Sequence, residues 1–128
     1  LQKNNPMKID IPFDITTWDP TPYDAPEAGP ALFRVTVKKT YKGPLTGEGV
    51  AELLLCGQEG YLANERVSGE LEGRSGTFVL QHGGVRQGEE AVMQFGLVIP
   101  GSGTGELANL RGDATFAHGK LSLDYRFD

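Results

Sequence analysis

At 128 residues, with 38 % hydrophobic and 23 % charged residues, the chain has the size and composition of one globular domain. It has neither the low hydrophobicity of a disordered segment nor an apolar run long enough to cross a bilayer, so we expect no membrane partner. The formal net charge of −5 argues against nucleic-acid binding, which needs clustered cations.

Cysteine and histidine are scarce, with one Cys and two His in the whole chain. A single cysteine forms no intramolecular disulfide, and these residues show no metal-ligand spacing. The sequence therefore predicts no metal and no cofactor, and a cytoplasmic location.

The first predicted strand is an alternation of apolar and polar residues from Ile9 to Ile15, which gives it one buried face. The next segment, Thr16 to Pro30, contains Pro20, Pro22, Pro26 and Pro30. Because proline cannot donate a ladder hydrogen bond, we expect a rigid, irregular segment here rather than a strand.

Turn signals then divide the rest of the chain into short strands. We expect hairpin turns at Gly43–Glu48, Gly57–Gly60, Gly73–Arg74, Val85–Gly88 and His118–Gly119, and a helical turn at Glu106–Leu110. Strands joined in this way form a meander, and closure removes its exposed edges. The predicted fold is an all-β antiparallel meander barrel of about eight strands. It forms a single domain over residues 1–128, with a flexible extension over 1–7.

Counting residues back from these turns brings four chemically active side chains together on the inner face. It places Lys39 opposite Glu52, Glu52 beside Glu65, and Glu65 opposite His82. Carboxylates on neighbouring strands, ~5 Å apart, repel by roughly 3 kcal/mol at an effective dielectric of 20. One glutamate that is held protonated, or whose pKa lies near neutral pH, could act as general acid or base with His82 as relay. Glu52, Glu65 and His82 are therefore the candidate catalytic residues. A buried structural ion network is the alternative.

The same counting assigns ligand-lining residues to the inner face: Lys39, Tyr41, Cys56, Tyr61, Met93 and Tyr125. Apolar surfaces with few polar groups line most ligand cavities, but small barrels are also filled by their own side chains. We expect filling at one end and a small cavity near the charged layer.

Several stretches resemble a bacterial family of small proteins of unknown function. They include Trp18–Asp19, Lys39–Gly43, Glu65–Arg66, Pro100–Leu107 and, most specifically, Gly73–His82. The resemblance covers most of the chain and implies a calycin-like barrel similar to that of allene oxide cyclase. It implies no catalytic residue, because function belongs to sites rather than folds.

Three functions remain open at this point. The first is a barrel that binds a small apolar or amphipathic ligand. The second is a cofactor-independent cyclase or isomerase that uses the Glu/His/Lys layer. The third is a structural barrel that self-associates as a dimer or trimer. Whether the protein is an enzyme is not determined by the sequence.

Overall fold

A computed structural model describes residues 6–128 as eight antiparallel strands. These are β1 (Met7–Asp24), β2 (Leu32–Tyr41), β3 (Leu45–Cys56), β4 (Gly60–Leu71), β5 (Arg74–Gln87), β6 (Glu90–Val98), β7 (Leu110–Ala117) and β8 (Lys120–Phe127), with a 3-10 helix at Gly105–Leu107. Each strand pairs with the next, and β1 pairs with β8. The predicted meander barrel is therefore confirmed.

The predicted flexible extension differs from the structure at its last residue. Met7 is already in β1 and pairs with Tyr125 of β8. Residues 1–5 lie outside the described part of the chain. Within residues 6–128, no helix has the length and apolar character needed to span a membrane.

The connections between strands alternate between two ends of the barrel, which we call the lower and upper ends. The β2–β3 and β4–β5 turns and the connection containing the 3-10 helix lie at the lower end. The β3–β4 and β5–β6 turns lie at the upper end, and the shorter β7–β8 hairpin points towards it. Gly73 and Gly119 occupy turns that point in opposite directions, with φ of 89° and 74°, a backbone conformation that glycine adopts without steric cost.

The prediction that Thr16 to Pro30 avoids the sheet is wrong in its first half. β1 runs to Asp24, and Pro20 and Pro22 pair with Val35 and Phe33 of β2. The edge of β1 that faces away from β2 has no partner at Pro20 and Pro22, because β8 reaches only to Pro12 of β1. Proline fits an edge strand when its nitrogen faces away from the ladder, so the unpaired edge explains how β1 tolerates both residues.

The upper half of the barrel is open on one side. Over residues 6–128, β6 pairs with β7 through Leu97 and Asp113 alone, and the β7–β8 hairpin ends at the level of Phe13. The upper parts of β1 and β6 therefore face each other across a gap.

Apolar side chains fill the lower half of the barrel. Its core includes Leu45, Leu71, Phe78, Leu107 and Leu110, each with an exposed fraction of 1 % or less. Each such side chain contributes about 1.5–3 kcal/mol on burial. A second, smaller cluster lines the upper half: Val35, Val37, Ala51, Leu53 and Ala63. Lys39, Glu65 and His82 lie between these two clusters along their strands.

Candidate functional site

The centre of the candidate site is the carboxylate of Glu65, which is 0 % exposed. Its Oε1 accepts a hydrogen bond from Lys39 Nζ at 2.9 Å and another from His82 Nε2 at 3.1 Å. Its Oε2 accepts a hydrogen bond from the hydroxyl of Tyr41. We call Lys39, Tyr41, Glu65 and His82 the Glu65 cluster. Every oxygen of its carboxylate is satisfied within the protein.

Strand alternation and one glycine bring these side chains together. Lys39 of β2 pairs with Gly49 of β3, which has no side chain, and Glu65 reaches over Gly49 from β4. A Cβ atom on Gly49 would overlap Glu65 Oε2 and lie 2.9 Å from Tyr41 Cε2. The absence of a side chain at position 49 therefore makes the space for the carboxylate.

The electrostatics of the cluster favour an ionised Glu65. Burial by itself raises the pKa of this carboxyl group, but the hydrogen bond from His82, the charge of Lys39 and the hydrogen bond from Tyr41 together lower it below its usual value. Burial, and then the negative charge of Glu65, hold the pKa of the Tyr41 hydroxyl far above its usual value. At neutral pH the carboxylate is thus charged and the phenol beside it is not.

The ammonium group of Lys39 lies between two aromatic rings. Its Nζ is 4.7 Å from the ring centre of Phe13 and 4.2 Å from that of Phe116. Lys39 is only 7 % exposed, so these rings and Glu65 replace most of its hydration. The positive charge of Lys39 and the negative charge of Glu65 leave the pair neutral overall.

Tyr61 connects the cluster to the space above it. Its hydroxyl lies 3.0 Å from His82 Nδ1, and the His82 ring stacks on Phe116 with 4.2 Å between ring centres. Burial, and then the charge of Glu65, raise the pKa of Tyr61 above its usual value. Glu65, His82 and Tyr61 therefore form a chain of hydrogen bonds that runs from the buried carboxylate towards the upper end.

A cavity of about 660 Å³ occupies the upper half of the barrel. Its lining includes Trp18, Leu53, Leu55, Tyr61, Gln94 and Phe116. At the rim, Arg86 Nε donates a hydrogen bond to the carbonyl oxygen of Gln58 at 2.9 Å, which ties β5 to the β3–β4 turn. Trp18 of β1 and Gln94 of β6 both line the cavity, so it meets the gap between these strands. The predicted combination of a filled end and a cavity near the charged layer agrees with this arrangement.

Glu52, a predicted catalytic residue, is on the outer face of the barrel. It pairs with Thr36 rather than Lys39, and Ala51 rather than Glu52 pairs with Glu65. The side chain of Glu52 is 54 % exposed and accepts a hydrogen bond from Thr36 Oγ1 at 2.8 Å. A one-residue change of register between β3 and β4 reverses the face of every β3 side chain, so the paired-carboxylate hypothesis is wrong.

The predicted site residues Glu65, His82 and Lys39 do meet, although the strands that carry them pair in a different register from the predicted one. His82 pairs with Ala63, and Glu65 pairs with Leu80. A two-residue change of register keeps a side chain on the same face, so His82 still reaches Glu65 diagonally.

The predicted ligand-lining residues lie in different parts of the barrel. Tyr61 lines the cavity, while Tyr41 lies below it within the Glu65 cluster. Tyr125 is inward but at the lower end, where its hydroxyl donates to Glu72, so the prediction that it lines the cavity is wrong. Cys56 is exposed and pairs with Gly60, on the face opposite to Tyr61. Met93 pairs with the exposed Val85 and is itself 51 % exposed, so it borders the cavity from the rim rather than lining the inner wall.

Sequence reasoning missed Gly49, Phe13 and Phe116 as parts of the site. Phe13 falls on the buried face of the first predicted strand, but nothing in the sequence indicates that Phe13 and Phe116 contact the same lysine. Gly49 lies in a stretch read as ordinary strand. An isolated glycine inside a strand often marks a close approach of another group, and that signal was present. Among residues 6–128, no group of three or more His, Cys, Asp or Glu side chains could hold a metal ion.

These features define a small antiparallel β-barrel with one filled end, one open end and a buried ion pair between them. The chain belongs to the DUF3224 family, described as proteins of unknown function, whose model matches residues 9–128. It is similar to the crystal structure, at 1.84 Å resolution, of a DUF3224 protein of unknown function from Shewanella oneidensis MR-1. The two share 31 % sequence identity over 97 % of each chain, with a TM-score of 0.79. No match was found among curated proteins.

Proposed function

We propose that this protein binds a small apolar or amphipathic molecule in the upper cavity. The observation that carries the proposal is a cavity of about 660 Å³ whose lining includes Tyr61, the residue that is hydrogen-bonded through His82 to the buried Glu65. Ligand sites in proteins usually have about 300–1,000 Å³ and combine apolar walls with a few placed polar groups. Leu53, Leu55 and Phe116 supply apolar walls here, and Tyr61 supplies the polar group nearest the floor.

The charge distribution favours a neutral ligand. Lys39 and Glu65 neutralise each other below the cavity, and the two charged residues of its lining, Glu59 and Arg86, carry opposite charges, so the site offers an ionic ligand no net counter-charge. A molecule that displaces water from the apolar walls gains binding energy without disturbing that ion pair.

Binding of the neutral dye N-phenyl-1-naphthylamine tests the proposal, because its fluorescence rises in apolar surroundings. Trp18, the only tryptophan, lines the cavity, so bound dye should also quench its emission. We expect saturable binding to the unmodified protein. Gly84 borders the cavity, and Gly84→Leu should fill part of it and weaken binding at least tenfold.

A matched variant separates the cavity from the outer surface. Gln81 lies on the same strand as Gly84 but is exposed on the outer wall, so Gln81→Leu adds the same side chain outside the cavity. Unchanged dye affinity in Gln81→Leu together with lost affinity in Gly84→Leu supports the proposal. Equal binding by both variants and the unmodified protein, or no binding by any of them, contradicts it.

A second candidate is a cofactor-independent isomerase or cyclase. The chain from Glu65 through His82 to Tyr61 favours it, because a carboxylate that orients an imidazole is a common arrangement for proton transfer. The raised pKa of Tyr61 counts against it as a base, since its phenolate form is disfavoured. Exchange of solvent deuterium into 2-tetralone, an enolisable ketone of suitable size, would support this candidate if His82→Leu abolished it. Exchange at the uncatalysed rate would exclude this candidate for that class of ketone.

Self-association as a dimer or trimer and likeness to the cyclase barrel stay predictions.

A further inference from the structure

We infer that the site selects neutral molecules that donate a hydrogen bond, such as alcohols and phenols, and that the His82–Tyr61 pair determines this specificity. The inference rests on the proposed binding function, and it adds the chemical class of the ligand. It follows from counting the donors and acceptors along the chain that leads from Glu65 to the cavity.

The charge of Glu65 fixes the direction of its hydrogen bond with His82. An ionised carboxylate only accepts hydrogen bonds, and the pKa of Glu65 is lowered. His82 Nε2, 3.1 Å from Oε1, must therefore carry the proton and donate it. This assigns the tautomer of His82.

The other ring nitrogen of His82, Nδ1, lies against Tyr61. In the neutral imidazole with its proton on Nε2, Nδ1 is an acceptor. The group 3.0 Å from Nδ1 is the hydroxyl of Tyr61, which therefore donates its one proton to His82. The positive charge that balances Glu65 is already supplied by Lys39 at 2.9 Å, so the carboxylate needs no second cation.

Tyr61 can therefore offer a ligand only a hydrogen-bond acceptor. A phenolic hydroxyl has one proton, and here that proton is directed at His82 rather than at the cavity. The oxygen of Tyr61 then presents only lone pairs to a molecule lying against it. A ligand hydroxyl can donate to this oxygen, whereas an ether or ketone oxygen would face it without a proton between them.

The groups around His82 hold this arrangement in place. Tyr61 and Glu65 bind its two nitrogens, and Phe116 stacks on its ring. His82 is 4 % exposed, so water competes little for either nitrogen. The other two members of the cluster, Lys39 and Tyr41, both bind Glu65 rather than His82.

Two probes of nearly equal shape test the inference: 1-naphthol, which donates a hydrogen bond, and 1-methoxynaphthalene, which only accepts one. Their dissociation constants can be measured near neutral pH by displacement of N-phenyl-1-naphthylamine. One hydrogen bond corresponds to roughly 1 kcal/mol, or about fivefold in affinity. We therefore expect 1-naphthol to bind about fivefold more tightly to the unmodified protein.

Two variants of His82 separate hydrogen-bond direction from packing. In His82→Leu the hydroxyl of Tyr61 loses its acceptor and is free to donate to a ligand, so the ratio of the two dissociation constants should fall to about one. In His82→Gln the amide oxygen can accept from Tyr61 while the amide nitrogen donates to Glu65. This variant should therefore retain the preference for 1-naphthol. A purely structural role of His82 would change both affinities together and leave their ratio unaltered.

The outcomes distinguish this inference from the proposed function. Equal affinities of the unmodified protein for both probes overturn the inference while the binding function stands. Tighter binding of 1-methoxynaphthalene also overturns it, because Tyr61 would then be donating into the cavity. If neither probe displaces the dye and the dye itself does not bind, the proposed function fails and the inference fails with it.

Discussion

Replacing Glu65 with glutamine should destabilise the protein strongly while hardly changing its shape. The substitution removes the negative charge from a fully buried position and leaves Lys39, 7 % exposed, without its partner at 2.9 Å. Removing one member of a buried ion pair costs about 3–5 kcal/mol, because the remaining charge is uncompensated. The rings of Phe13 and Phe116 contact the ammonium group in both proteins and leave this difference unchanged. We therefore expect Glu65→Gln to lower the free energy of unfolding by about 3–5 kcal/mol.

Urea unfolding followed by far-ultraviolet circular dichroism measures this change. An unaltered m-value, the slope of the free energy of unfolding against urea concentration, would show that the unfolding reaction is the same. Glu52→Gln is the matched control, because Glu52 is 54 % exposed and its nearest cation, Arg34, is 3.9 Å away. Its loss should be at most about 1 kcal/mol. Adding Lys39→Met to Glu65→Gln removes the unpaired charge and should recover part of the lost stability. A loss below about 1 kcal/mol for Glu65→Gln, or no recovery in the double variant, would refute the ionised pair described here.

The charge of Glu65, the space at Gly49 and the Tyr125–Glu72 contact can each be tested by their effect on stability or titration. Because the pKa of Glu65 in the folded protein lies below its usual 4.5, its contribution to stability is present above that pH and is lost as the pH falls through the lower folded value. Urea titrations should therefore show that the difference in free energy of unfolding between the unmodified protein and Glu65→Gln narrows in acid. A difference that does not depend on pH would contradict this. Gly49→Ala should lower the free energy of unfolding by about 1–3 kcal/mol, because its Cβ atom would overlap the carboxylate of Glu65. Gly60→Ala should be tolerated in the same unfolding assay, because its new atom would lie 3.8 Å from its nearest neighbour. Equal effects of the two variants would show that the overlap is relieved. Burial, and then the hydrogen bond and charge of Glu72, raise the pKa of Tyr125 from 10.0 to about 12, so the free energy of unfolding should fall as the pH rises between these values. Glu72→Gln should shift the ultraviolet titration of Tyr125 towards 10.0. An unmoved titration would exclude Glu72 as a cause of the raised pKa.

The fold could be predicted because it depends on features that survive small errors. Alternation of apolar residues along Ile9–Phe13 and along the last hairpin identifies the buried face, whatever the exact pairing. Glycine turns such as His118–Gly119 mark where the chain reverses. Neither signal requires knowing which residue lies opposite which.

The site depends on register, and register depends on the exact length of each turn. The β5–β6 turn begins after Gln87, later than expected, and a bulge follows Val85, so Phe95 and Met93 are on the outer face instead of the inner one. An odd error reverses a strand's faces, as at Glu52, whereas an even error keeps them, as at His82. Sequence reasoning therefore recovered the ion pair and lost the second carboxylate for the same reason.

The gap between the upper parts of β1 and β6 affects how anything could enter or leave the cavity. A molecule that passes between Trp18 and Gln94 crosses a seam where, in residues 6–128, no ladder hydrogen bond joins the two strands. Entry and exit would then require side-chain rotation, a fast motion, rather than the slower separation of a paired sheet. Exchange between bulk water and the interior should accordingly be rapid even though the lower half of the barrel stays rigid.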